Sequence, residues 1–447
     1  MEFSPWSLLV DAGLIGVLLV VGTLVRATVR PIQALMIPAS VIAGVLGLAL
    51  GPNGLGWLPF SDQVGTYSSV LIVVVFACLA LTDDFDLRKI GRSIAGFAGY
   101  GVLMYAAQVA VGTLLGLLLL GPLFGTPDGF GLLLFAGWAG GFGSAAAMGT
   151  VFADAGWAEA QSLAFTSATV GLLIGIVGGI VQSKIGAARG FAQEFAGVTS
   201  IPRDMRTGVL AADSGRPAIG THTFSAGSIE SLSFQGAVVL AISAGAYGVN
   251  ELLVQVLPDV AFPLFSIAFL IGLALRALLS VTNTRRLVDG ESLRSISGTA
   301  TDVLVVCGIA SIVPSLVAGH WLALVILFAV GLALCLALGI GLAPRMVGEN
   351  WFEKQIFTWG WATGSVSTGI ALLRIVDPRM RSRTLEDFAI AYLPVLPVEV
   401  TAVTFTPVLV IAGGAWAVAG IWGAIAVVAL AVPLLLLRGS RTRTFAG

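Results

Sequence analysis

Two stretches of the 447-residue sequence combine glycine breaks with groups able to meet a charge. The first runs Gly137-Trp138-Ala139-Gly140-Gly141-Phe142-Gly143-Ser144-Ala145, and the second Gly360-Trp361-Ala362-Thr363-Gly364-Ser365-Val366-Ser367-Thr368-Gly369. Glycine costs about 1 kcal/mol per residue in a helix relative to alanine, so Gly140, Gly141 and Gly143 predict a turn, and the alanines that follow predict a restarted helix. A broken helix exposes N–H groups at one broken end and carbonyls at the other, which suit anions and cations respectively. Hydroxyl oxygens at Ser144, Ser367 and Thr368 add hard donors of the kind Na⁺ prefers. Gly140, Gly141, Gly143, Ser144, Gly364 and Ser365 are the expected small-molecule contacts. The competing reading is close helix packing, which also selects small residues; for Gly175, Gly178 and Gly179 packing is the expectation.

Ionisable groups inside apolar runs come next. Glu399 lies in Pro394-Val395-Leu396-Pro397-Val398-Glu399-Val400-Thr401, and a carboxylate at such a position is functional or paired; it is expected to bind a cation or a proton. Arg374 follows the second broken stretch and has the planar fork that grips a carboxylate, whereas Arg276 reads as an anchor reaching the interface. Asp11 and Asp302 lie near span ends and are expected to be solvated, as is the cluster Asp83, Asp84 and Asp86. His222 and His320 have no metal-ligand spacing, and no hydrolase or metalloprotease motif is present, so an enzyme and a metal site are not expected. Cys78, Cys307 and Cys335 sit far apart in apolar runs and read as packing residues rather than a disulfide framework.

The elements that must hold these residues are membrane helices. Hydrophobic residues make up 57% of the chain, charged ones 11%, and mean hydropathy is +0.99, whereas soluble proteins carry about 25% charged residues. Runs near 6–25, 33–51, 67–82, 93–120, 162–183, 234–256, 262–281, 300–317, 321–342, 388–412 and 415–437 approach or exceed the roughly 20 residues a bilayer requires. Segments near 130–152 and 355–373 are expected to be re-entrant, because irregular backbone survives in a membrane only where protein or a water-filled cavity covers it. With the N-terminus outside, all 23 Lys and Arg fall on the inner side, and the loops 53–66, 121–129 and 153–161 hold only acids and neutral residues. That predicts a multi-pass inner-membrane protein with a cytoplasmic C-terminus. A net charge of −1 points to no nucleic-acid partner.

Two motifs recur at nearly one offset. Ile37-Pro38 and Gly47-Leu48-Ala49-Leu50 return 225 positions later as Phe262-Pro263 and Gly272-Leu273-Ala274-Leu275, and Gly137-Trp138-Ala139 returns after 223 as Gly360-Trp361-Ala362. The expected fold is therefore an all-α polytopic membrane protein with two inverted five-helix repeats, 1–183 and 233–413, each with a re-entrant glycine-rich loop. A cytoplasmic linker spans 184–232, and 414–447 adds one extra span and a basic tail. Broken segments at matching places in inverted repeats point to a transporter's binding site.

Gly140-Gly141-Phe142-Gly143-Ser144-Ala145-Ala146, then Ala168-Thr169-Val170-Gly171-Leu172, Gly175 and Gly178-Gly179, resemble the sodium/glutamate symporter family, as does Ile37-Pro38 with Gly44. The resemblance implies sodium-coupled uptake of glutamate or a related acidic amino acid, opposed re-entrant loops and a homodimer in the lipid bilayer. With it the expected sodium-binding residues become Ser144, Thr169, Ser367, Thr368 and Glu399, and the substrate set gains Arg374. No cofactor is implied beyond the coupling ion, Na⁺ or alternatively H⁺. Phe142 stands where the family usually has histidine, and the second loop is less glycine-rich than in its best-known members. The alternatives are a carrier of another carboxylate such as a 2-hydroxycarboxylate, and a channel, although no ring of like charge or repeated carbonyl filter is evident.

Overall fold

The computed structural model describes residues 4–35, 37–82, 92–192, 202–210, 216–225, 227–256 and 263–441. Asp83, Asp84, Asp86, Arg88, Lys89, Phe262 and Arg443 lie outside them. The described residues are helical, without a strand, and ten of their helices are long and apolar enough to cross a membrane.

Besides two six-residue helices, Arg30–Leu35 and Pro314–Gly319, they are in chain order α1 (Pro5–Thr28), α2 (Ala39–Leu50), α3 (Val64–Thr82) and α4 (Arg92–Leu115), which continues through a π turn, Gly116–Leu120, to Phe124. A first helical hairpin follows, α5 (Leu133–Gly137) and α6 (Gly141–Asp154), then α7 (Ala160–Ala188) and the short α8 (Arg203–Thr207). Next come α9 (Ser231–Val256), α10 (Leu264–Val281), α11 (Gly290–Ala310) and α12 (Trp321–Leu336), the last also continuing through a π turn, Ala337–Leu342. The second hairpin is α13 (Trp351–Thr363) and α14 (Val366–Val376), and α15 (Thr384–Ile411) and α16 (Ala415–Arg441) complete the fold.

Two of the eleven expected spans are revised. The run 33–51 is interrupted, because the chain breaks at Pro38 and α2 keeps only 12 residues, too few to cross a bilayer at 1.5 Å per residue. The run 300–317 is α11, which starts ten residues earlier at Gly290, where Asp289 caps it by accepting from Ser292 N, and it ends before Pro314.

The chain forms two compact units, and neither coincides with a sequence half. The first comprises Met1–Leu24, Ala39–Asp84 and Leu210–Ile312. Its core joins Ile15, Leu18, Ala43, Phe60, Val64, Val306, Cys307 and Ala310. Gly44 and Gly47 seat α2 on α11, where a Cβ would come within 2.8 Å of Ile309 and 3.0 Å of Ala310, and Gly272 seats α10 on α3 at 2.6 Å from Ala80. These contacts are the close approach small residues permit between membrane helices. Asp11 belongs to this unit and is buried rather than solvated, at 1% exposure. It accepts hydrogen bonds from Ser61 N at 2.9 Å, from the Ser61 hydroxyl and from Tyr67 Oη at 2.8 Å, so its oxygens are satisfied without water. Asp302 is exposed.

The second unit comprises Val25–Pro38, Phe85–Val209 and Val313–Gly447. It contains α4 to α8, both hairpins, and α12 to α16, and it holds every expected site residue.

Candidate functional site

Gln108 stands near the middle of α4 with no exposed surface. Its Nε2 donates to the Ala362 carbonyl at 2.9 Å, and its Oε1 accepts from Ala139 N at 3.2 Å. One amide thus joins the broken backbone of both hairpins, and a third contact runs from Nε2 to Cys335 Sγ at 3.6 Å.

The hairpins reach Gln108 from opposite ends of α4. Near its start, Lys354 Nζ at the open end of the second hairpin lies 5.7 Å from the Phe97 ring centre. Further along, a Cβ on Gly101 would come within 3.3 Å of Trp361. Beyond Gln108 the first hairpin takes over: Gly131 and Gly112 touch backbone to backbone, and a Cβ on either would run into the carbonyl of the other. Lys354 is no loop residue in water, since it pairs with Asp387 at 2.7 Å with only 7% of its side chain exposed.

The tips meet at the breaks. Gly141 has φ +66°, a left-handed conformation natural to glycine, and a Cβ there would lie 3.2 Å from the Gly364 carbonyl. Gly140 N closes the first turn on Phe135 O at 2.9 Å. The following N–H groups, of Gly141, Phe142 and Gly143, belong to the opening turn of α6, which has no internal acceptors for them; none donates outside its helix. At the second tip Ser365 caps α14, accepting from Thr368 N at 3.2 Å and lying 3.0 Å from Thr368 Oγ1. Ser144 and Thr368 are buried and Ser367 is exposed.

Helix α7 supports both tips. Ser167 Oγ donates to Leu133 O at 2.6 Å and Trp359 Nε1 to Gly175 O at 2.9 Å. A Cβ on Gly171 would come within 2.6 Å of Trp138 and 2.8 Å of the Thr363 carbonyl, and one on Gly178 within 2.7 Å of Trp359. Gly175, Gly178 and Gly179 therefore pack, as expected, against the second hairpin, while Gly171 packs against both. Thr169, between these contacts, donates to Phe165 O at 2.8 Å, leaving its lone pairs open.

Gly140, Gly141, Gly143, Ser144, Gly364, Ser365, Ser367 and Thr368 thus belong to two apposed tips, with Thr169 on the helix that braces them. Two expected residues stand apart. Glu399 on α15 accepts from Tyr392 Oη at 3.1 Å and from Tyr105, tyrosines whose rings lie 5.6 and 5.3 Å from that of Trp361. None of its hydrogen bonds reaches the tip hydroxyls. Arg374 lies in the last turn of α14, nine residues beyond Ser365, or about 13 Å along a helix. Its Nε is buried without a hydrogen-bond acceptor.

Sequence reasoning passed over Gln108. Its signal was a lone amide within the apolar run Tyr105-Ala106-Ala107-Gln108-Val109-Ala110, where a polar group needs a partner.

Ten helices long and apolar enough to cross a membrane, together with a pair of helical hairpins, make this a multi-pass membrane protein. The sodium/glutamate symporter family matches residues 8–381, most of the chain, and the protein belongs to that family. The match ends before α15 and α16, so Glu399 lies beyond it. No curated protein matches the chain as a relative.

Proposed function

We propose that the protein takes up glutamate or a related acidic amino acid, driven by Na⁺, through the site where the two hairpin tips meet. The observation that carries this reading is the Gln108 amide, which joins both breaks at one point midway along a spanning helix. The free N–H groups of Gly141 to Gly143 and the α14 N-terminus beyond Gly364 and Ser365 offer donors to substrate carboxylates, since helix starts favour negative charge. Ser144, Thr169, Ser367 and Thr368 offer oxygens to Na⁺ from the same region. Arg374, too far along α14 to share the tip, acts on the carboxylate as it approaches and raises its local concentration. Glu399, held by two tyrosines, is a second cation or proton site behind Trp361, and it favours H⁺ as the alternative coupling ion.

Two inverted repeats account for further pairings within the hairpin unit. Both α4 and α12 carry a π turn followed by a proline, Pro122 and Pro344. Trp138 of the first hairpin stacks on Phe328 of α12 at 6.0 Å, and Trp361 of the second meets Tyr105 of α4 at 5.3 Å. Trp138 to Trp361 and Tyr105 to Phe328 are both shifts of 223. The reading extends to re-entrant hairpins opening to opposite sides of an inner membrane, an outside N-terminus and a homodimer, as the family implies.

Uptake of labelled glutamate, aspartate, malate and citrate into proteoliposomes, each under a Na⁺ or a H⁺ gradient, tests the proposal. Glutamate accumulation that requires Na⁺ is the expected outcome. Accumulation of citrate or malate in its place would make the protein a hydroxycarboxylate carrier.

A further inference from the structure

A cavity of the hairpin unit lies away from the tips, where α8 covers the end of α1. Arg26 fixes α8 there: its Nη2 donates to Met205 O at 2.9 Å and its Nε to Arg206 O at 3.4 Å. A cation on the last carbonyls of a helix is the favourable arrangement for its dipole. Beneath this strap a cavity of about 710 Å³ remains, with Arg30, Gln33, Arg203, Arg206 and Thr207 in its wall.

Three guanidinium groups share the wall, and none of the lining residues is acidic. None of the three has a hydrogen-bond or ion-pair partner for its side chain among the described residues, and Arg206 Nε is buried with no acceptor. A buried donor left unpaired costs about 1–3 kcal/mol, more when it is charged, and like charges gathered in one wall add repulsion. An anion in the cavity removes both costs. Gln33 spends its amide on Ala27 O at 2.7 Å, so the arginines are the groups free to grip.

We propose that this cavity binds a phosphate group, and that the phosphate is that of an anionic lipid headgroup. Guanidinium forks match paired phosphate oxygens. Depth favours the lipid over a free anion: α1 has 24 residues, about 36 Å of helix against a hydrocarbon core of about 30 Å, so its end lies at headgroup level. Basic pockets at that level are where anionic headgroups bind. The site is separate from the hairpin tips and does not depend on the substrate proposed for them.

Native mass spectrometry of the full chain, released from micelles holding equal phosphatidylglycerol and phosphatidylcholine, tests it. Wild type should retain phosphatidylglycerol at least fivefold over phosphatidylcholine. Arg203→Gln with Arg30→Gln should reduce that preference by at least threefold, while Arg294→Gln, which changes an arginine outside the cavity, should not. Arg206→Gln is the third variant, with Arg26 kept so that α8 stays docked. A second arm measures thermal shift with inorganic phosphate. Stabilisation of wild type but not of the double variant, without any lipid preference, would assign the cavity to a free phosphate anion and overturn the lipid assignment. Equal lipid retention by wild type and both cavity variants, with no phosphate shift, would overturn the site itself.

Discussion

The two hairpins share a tip motif and differ in almost everything behind it. The first, from Phe130 to Asp154, has no basic residue, and its acidic group comes only at the end. Its first leg is the five-residue α5, and it is seated by backbone contact between Gly112 and Gly131. The second has a 13-residue first leg that buries Glu353, Lys354 and Gln355 and ties Lys354 to Asp387, and its second leg carries Arg374 in the last turn. Its break is capped by a side chain, Ser365, whereas the break of the first has no side-chain cap. The first hairpin carries no charged anchor of its own: close packing, with hydrogen bonds shared with Gln108 and Ser167 on neighbouring helices, fixes it, and its break presents backbone. Polar side chains hold the second, and its tip presents hydroxyls. In the proposed mechanism the first serves mainly the carboxylates and the second mainly the cation.

Substitutions can break or sharpen this contrast. The largest effect is expected at Gly131. Gly131→Ala drives a methyl group into the Gly112 carbonyl, and overpacking of this kind costs about 1–3 kcal/mol or more. Thermal unfolding should show the loss, and transport should fall with it; an unchanged unfolding temperature would mean that backbone contact does not seat this hairpin.

Arg374→Ala comes next. Apparent substrate affinity should weaken about tenfold at low salt and less at high salt, because a field that acts on the approaching substrate through water is screened. Arg374→Lys should recover most of it, since the proposed role needs charge rather than a fork. Unchanged affinity would reduce Arg374 to an anchor.

A smaller effect is expected for Ser365→Ala, which removes the α14 cap. Stability should drop by about 0.5–2 kcal/mol, and the Na⁺ requirement should rise because Thr368 loses its partner. Smallest is Ser367→Ala. Its exposed hydroxyl has no protein bond among the described residues, so stability should hold while the Na⁺ concentration for half-maximal transport rises several-fold. If that value stayed fixed, the hydroxyls of the second hairpin would have no part in cation binding.

Much of this arrangement was legible in the sequence. The spans showed as long apolar runs, and the breaks showed as glycines without a helical role. What was hidden had local causes. Pro38 cuts an apolar run in two, which hydropathy alone does not register. The opening of α11, Gly290-Glu291-Ser292-Leu293-Arg294-Ser295, is polar enough to pass for a loop, yet it is helical from its Asp289 cap. That carboxyl is only slightly buried, and the hydrogen bonds from Ser292 and Thr221 outweigh burial to hold its pKa below the ordinary aspartate value. Asp11 near the start of α1 looked solvated because its partners Ser61 and Tyr67 lie 50 and 56 positions away. Gln108 was visible as a polar residue in an apolar run, but its two partners belong to hairpins 31 and 254 positions distant, a distance no local pattern spans. Trp138 and Trp361 were read as marks of repetition, whereas their rings on Phe328 and Tyr105 also fix each hairpin to a spanning helix.

Gln108 gives the most direct test that one site is built from both breaks. Gln108→Leu removes the donor to Ala362 and the acceptor for Ala139, leaving both backbone groups buried and unpaired while the residue's size is nearly kept. Binding of labelled glutamate to the purified full-length protein should be measured against Na⁺ concentration for wild type and variant, with thermal unfolding confirming that the variant is folded. The expected result is Na⁺-dependent binding in wild type and at least tenfold weaker binding in a folded Gln108→Leu protein, with the Na⁺ dependence shifted as well. Wild-type affinity and Na⁺ dependence in the folded variant would contradict the account, since substrate and cation would then bind without the two tips held together.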